Sequence, residues 1–157
     1  MEYILHIIIM LSIYVILVLS ANLPVGMAKM LTMCQAAFYG IGAYIGTFFL
    51  MQFNLPFIVL AAIVMVATGL FSLLVSFASV KLKDDYFILA TLGFQMIVYT
   101  ILYNWTDVTR GPYGIPGIPS IKLFGVLSLS GVWGYAALAI VLAILVALLF
   151  NVIKRTP

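Results

Sequence analysis

Four long stretches of this chain carry no Asp, Glu, Lys or Arg: residues 3–28, 30–80, 86–106 and 123–153. As a helix, about 20 apolar residues cross the roughly 30 Å hydrocarbon core of a bilayer. Each stretch is long enough to do so, and the second is long enough to cross twice. With only 7% charged residues, against about 25% in an ordinary soluble chain, a soluble enzyme is set aside. The runs are read as helices because IIIMLSIYVILVL and LAIVLAILVALLF show no apolar/polar alternation, which a membrane-barrel strand requires.

The fold class is therefore all-α: a polytopic transmembrane bundle with spans at about 3–21, 30–51, 56–80, 86–105 and 132–153. Gln52, Asn54 and Pro56 come together in QFNLP and place a tight turn inside the long second stretch. The first stretch opens with Glu2 where a secretory leader would carry Lys or Arg, and it stays apolar for longer than a leader does, so it is read as a span.

Five spans send connections alternately to two sides. Lys29, Lys81, Lys83, Lys154 and Arg155 fall on one side, Arg110 and Lys122 on the other. Lys and Arg collect on the cytoplasmic face, so the first side is expected inside, with the N-terminus outside. Lys29 can alternatively sit on a re-entrant segment. The expected external loop, about 106–131, has three glycines and three prolines within nine residues of TDVTRGPYGIPGIPS. These forbid regular helix and favour a rigid, turn-rich cap. Arg110, Gly111, Pro112 and Gly114 are its candidate residues, as an ordered lid, an external gate or a docking surface.

Inside the spans, Gly40, Gly42 and Gly46 cluster in AAFYGIGAYIG. Small residues four apart let helices approach closely in lipid, so Gly42 and Gly46 form a packing ridge, or else line a narrow path. Ala139, Ala143 and Ala147 repeat the spacing in the last span. Gln35, Gln95, Thr47, Thr68, Thr91 and Ser76 are polar groups at membrane depth. Gln95 is the most informative, because a mid-helix amide needs a partner helix or water.

No carboxylate falls within a span, so ion pumping through buried acids has no support. The sequence lacks a phosphate-cradling P-loop, so no ATP site is expected here. His6 and Cys34 form no metal set, and no catalytic constellation is present. The basic residues are scattered, without the clustering that nucleic-acid binding needs. Asp84 and Asp85 open the fourth span in KLKDDYF, where acids suit the positive end of a helix. With Lys81 and Lys83 they are candidate cytoplasmic contacts.

Three blocks in order now resemble a known family. These are QAAFYGIGAY from Gln35, then KLKDDY with TLGF from Lys81 to Phe94, then Asn104-Trp105 followed by TRGPYGI and Gly117-Ile118-Pro119. They are similar to G-[HQ]-A-A-F-x-G-I-G-A-Y, to L-R-x-R-G-x-Y with T-L-G-F, and to N-N-W with T-G-G-P-N-G-L-x-G-I-P. All three belong to branched-chain amino acid ABC transporter permeases of the LivM type. Departures are Cys34 and Asp84 in place of Gly, Gln95 at a position often small, and Arg110 and Tyr113 in place of Gly and Asn or Asp. They point to a shifted substrate or a divergent paralogue within the same fold.

The resemblance implies a permease domain in a bacterial or archaeal cytoplasmic membrane, importing leucine, isoleucine, valine or other hydrophobic amino acids by alternating access. The implied partners are a second permease subunit, cytoplasmic P-loop ATPase subunits that use the ATP, and an external substrate-binding protein, with lipid around the chain. Family members are roughly twice as long. The terminal IKRTP resembles the start of their R-S-P-F-G-R segment, so this chain is expected to be an N-terminal part, a fragment or truncated product without the ATPase-coupling half. The competing readings are a non-transporting structural subunit and a small subunit of a respiratory complex.

Overall fold

A backbone in lipid has no water to bond, so each amide must find a partner inside the protein. Among the described residues, the chain meets this demand with five helices long and apolar enough to cross a membrane. The computed structural model describes residues 2–29, 31–79, 81–82, 84–120 and 131–155. Its long helices are α1 (Glu2–Ala28), α2 (Gln35–Phe53), α3 (Phe57–Ser79), α4 (Asp84–Asn104) and α6 (Val132–Arg155). Between α4 and α6 come one turn of helix, α5 (Thr106–Thr109), and a 3₁₀ turn at Gly111–Tyr113. Lys83, Lys122 and the rest of 121–130 lie outside the described residues, as does the side chain of Asp84.

The helices form two compact units. In the first, α1 pairs with α6. Leu5 and Ser12 are buried on α1, Ala136 and Ala139 on α6. The small alanines let the two backbones approach closely. Ser12 spends its hydroxyl on its own helix, donating to the Ile8 carbonyl at 2.8 Å, so nothing polar is left bare in the contact. Helix α1 continues to Ala28, past the expected end at 21, with Pro24 inside it. Proline there costs one backbone bond, yet in lipid the carbonyls beyond it gain nothing by leaving the helix. Asn22 also stays local, its amide donating to the Val18 carbonyl at 3.3 Å.

The second unit packs α2 against both α3 and α4. Its centre is Ala37, Ile41 and Val98, with Ile45, Phe94 and Leu102 against them. The α2–α3 turn falls at Asn54–Pro56: Asn54 takes the left-handed conformation and donates its N–H to the Leu50 carbonyl. Asparagine tolerates that conformation better than most residues, and Pro56 starts the next helix.

The start of α2 differs from the expected position 30. Residues 31–34 are not helical, and α2 opens at Gln35. A side-chain clasp from α4 takes over the bonds that helix would supply. The Thr91 hydroxyl accepts the Met33 N–H at 3.2 Å and donates to the Ile88 carbonyl at 2.9 Å. The Cys34 thiol donates to the Thr91 carbonyl at 3.3 Å, while Thr32 accepts the Cys34 N–H. Cys34 and Thr91 are each only 1% exposed. Thr91 stands seven residues into α4, so at 1.5 Å per residue α2 begins about 10 Å further along than α4 does.

Along the long helices, much of the surface outside these contacts is apolar. Phe77, Leu74, Leu73 and Met65 are each more than 65% exposed, which suits hydrocarbon as the surrounding solvent.

Thr91→Val removes the hydroxyl and leaves the Met33 N–H unsatisfied at depth. A loss of about 1–3 kcal/mol is expected, read as a lowered melting temperature in detergent. Thr91→Ser should keep most of the stability.

Candidate functional site

Helix α2 presents its glycines to two different neighbours. A Cβ on Gly42 would lie 3.4 Å from both Thr68 Cγ2 and Val64 Cγ1, and one on Gly46 would lie 3.4 Å from Val64 Cγ2. Both therefore meet α3, and Val64 sits against the ridge they form. Gly40 faces the other way: its Cβ would meet Leu102 Cδ1 of α4 at 3.1 Å. Thr68 satisfies its hydroxyl within α3, on the Val64 carbonyl at 2.7 Å.

Gly40 and Gln95 are brought together. They line one cleft of about 310 Å³ between α2 and α4, with Ala36, Ala37, Tyr99 and Leu102. Gln95 is half-buried, and its amide makes no hydrogen bond among the described residues. Gln35 opens α2 and is half-buried, outside the lining of that cleft. A second hollow of about 470 Å³ is wholly apolar and includes Phe48, Phe49, Phe71 and Trp105. The two hollows share Val98 and Leu102 as a wall. No sequence pattern singles out Leu102 or Tyr99; both became visible once α2 and α4 were set side by side.

Beyond α4 the chain ties a compact turn. Within the expected loop, α5 makes one helical turn before the glycine-proline run begins at Gly111. Thr109 is 2% exposed and anchors it. Its hydroxyl shares one proton between the Leu102 carbonyl at 2.6 Å and the Trp105 carbonyl at 2.8 Å. It also accepts the Gly111 N–H at 3.2 Å. Arg110 (φ 58°) and Gly111 (φ 55°) are both left-handed. Gly111 is required twice over, since a Cβ would lie 2.5 Å from the Tyr103 carbonyl oxygen. Pro112 sits in the 3₁₀ turn, and Gly114 ends it with positive φ. Tyr113 is 93% exposed. Further on, Ile115 and Ile118 lie over Ala43, Tyr44 and Thr47 of α2 across a hollow of about 170 Å³. The sequence marked the glycines of this loop but gave no role of its own to Thr109, which stood only as the first residue of the TRGPYGI block.

At the opposite end, Lys81 and Asp85 are exposed beside the start of α4. Among the described residues no group of three or more His, Cys, Asp or Glu is placed to hold a metal ion.

Among the described residues, five apolar helices with small-residue contacts, a clasped non-helical entry to α2 and a cleft holding a lone amide describe a multi-pass membrane protein. The chain belongs to the family described as the branched-chain amino acid transport system permease component, which it matches over residues 3–157. It is 41% identical over 121 residues to the high-affinity branched-chain amino acid transport system permease protein LivM of Salmonella typhimurium, covering 74% of this chain and 27% of that protein. Identity to the corresponding LivM of Escherichia coli is 40% over 118 residues, again 27% of the relative. The match thus spans about a quarter of the length of these curated relatives. No solved structure matches the chain.

Two substitutions separate the roles of these glycines. Gly42→Leu drives a branched side chain into Val64 and Thr68 and should destabilise by about 1–3 kcal/mol, seen as reduced assembly of the membrane complex. Unchanged assembly with selective loss of transport would instead make Gly42 a path-lining residue, and wild-type behaviour in both assays would sink both roles. Gly111→Ala should open the turn after α5, giving new protease cleavage near Arg110 while the helices stay intact.

Proposed function

We propose that this chain forms part of the permease subunit of an ATP-driven importer of branched-chain or other hydrophobic amino acids, with α2 and α4 beside the translocation path. The observation that supports it most directly is the family match across residues 3–157, in agreement with relatives named as branched-chain amino acid permeases. The chain would supply passage, and ATP hydrolysis would reside in a partner.

The second unit gives this reading a direction. Contacts between α2 and α4 advance together from Cys34–Thr91 to the groove shared by Phe48 and Trp105, so the two helices run parallel. The turn at Asn54–Pro56 and the segment after α4 then lie at one end, with Lys81 and Asp85 at the other. Under the positive-inside rule, the end with Lys81, Lys83, Asp84 and Asp85 is cytoplasmic and available to a P-loop ATPase. The turn of Arg110, Gly111, Pro112 and Gly114 faces outward, towards an external substrate-binding protein. A second permease subunit would complete the membrane domain.

Membrane vesicles from cells lacking, and then regaining, the intact gene product that contains this chain provide the test. ATP-dependent uptake of labelled leucine, isoleucine and valine should vanish and return. Uptake that persists without it would overturn the assignment.

A further inference from the structure

The cleft between α2 and α4 contains a group that helix packing leaves unexplained. A glutamine side chain offers two donors and a carbonyl acceptor, and hydrocarbon satisfies neither. The facing wall is Ala36, Ala37 and Gly40, none with a polar side-chain atom to offer. The Gln95 amide makes no hydrogen bond among the described residues, although Ser12, Thr47, Thr68 and Thr100 all bond their own helices. An acyl chain filling the cleft would leave the amide bare.

Size and surroundings narrow the occupant. The cleft holds about 310 Å³, at the small end of the roughly 300–1,000 Å³ of ligand pockets. Alanines and a glycine on one side leave room for a solute rather than filling the space themselves. Next to the amide stand Val98 and Leu102, and behind them lies the wholly apolar groove with Phe48 and Trp105. Polar and apolar walls therefore meet within one residue's reach, an arrangement complementary to a small molecule with a charged head and a branched hydrocarbon tail.

We propose that this cleft is a binding subsite for an aliphatic amino acid, in which the Gln95 amide holds the charged head group and Val98 and Leu102 receive the side chain. The proposal rests on the permease reading and deepens it by naming a residue that contacts the cargo. An amide suits a zwitterion because its carbonyl accepts from the ammonium while its NH₂ donates to the carboxylate, without a fixed charge at depth. Leu102, held against Gly40, would close one side of the site.

The test uses the intact permease with its partners in proteoliposomes, measuring leucine uptake, KM, maximal rate and assembly. Gln95→Leu should raise KM about 10- to 100-fold, the worth of a hydrogen bond to a charged group, with assembly unchanged. Ala36→Leu narrows the cleft from the opposite wall without touching the amide, and should also raise KM. It decides the matter if Gln95→Leu fails to assemble. Unchanged KM in an assembled variant of either kind overturns the subsite. Loss of assembly in both variants also overturns it, because a partner helix would then fill the cleft. If the wild type takes up no amino acid, the permease reading falls and the ligand class with it, a result separate from wild-type uptake with unaltered variants.

Discussion

The obligation that most shapes this protein is the pairing of every backbone N–H and C=O without help from water. Long helices discharge it automatically, which is why the chain can be almost wholly apolar and still specify structure. The informative places are those where helix stops. At residues 31–34 the Thr91 hydroxyl and the Thr32 hydroxyl replace helical bonds. After α4 the Thr109 hydroxyl does the same for the turn into Gly111. In both cases one buried threonine reaches the backbone of a separate segment, so the non-helical stretch is held in one shape.

Thr91, two turns into α4, ties the entry of α2 beside it in a staggered position, while Thr109 ties the turn beyond α4 back to Leu102 and Trp105. Packing then depends on which faces of α2 are bare. Gly42 and Gly46 admit Val64 of α3, while Gly40 admits Leu102 of α4, so one short helix serves two neighbours without bulky side chains between them. The same bareness leaves a cleft where Ala36, Ala37 and Gly40 face Gln95. Close approach and open space come from one sequence feature, and the opposing side chain decides which results. Val64 and Leu102 close the gap; Gln95 stands beside one.

Much of this was legible beforehand. Long charge-free runs fix five helices because apolar length is set by bilayer thickness, and the three motif blocks point to the permease family. The turn at Asn54–Pro56 was readable from its breaker residues. Other features were not. A continuation of α1 through Pro24 contradicts local propensity and is sustained by the lack of alternative partners in lipid. The late start of α2 depends on Thr91, 57 residues away from Cys34, and nothing near residue 30 announces it.

By itself, then, the sequence determined the membrane class, the five long apolar helices and the family, because hydropathy and local motifs depend on neighbours along the chain. The tertiary structure decided where α2 begins, which glycine meets which helix, why Gly111 admits no side chain and that Gln95 shares a cleft with Gly40. Each of those turns on a contact between segments far apart in the chain, where a few tenths of an ångström separate a closed interface from an open one. One-dimensional patterns carry no such distances.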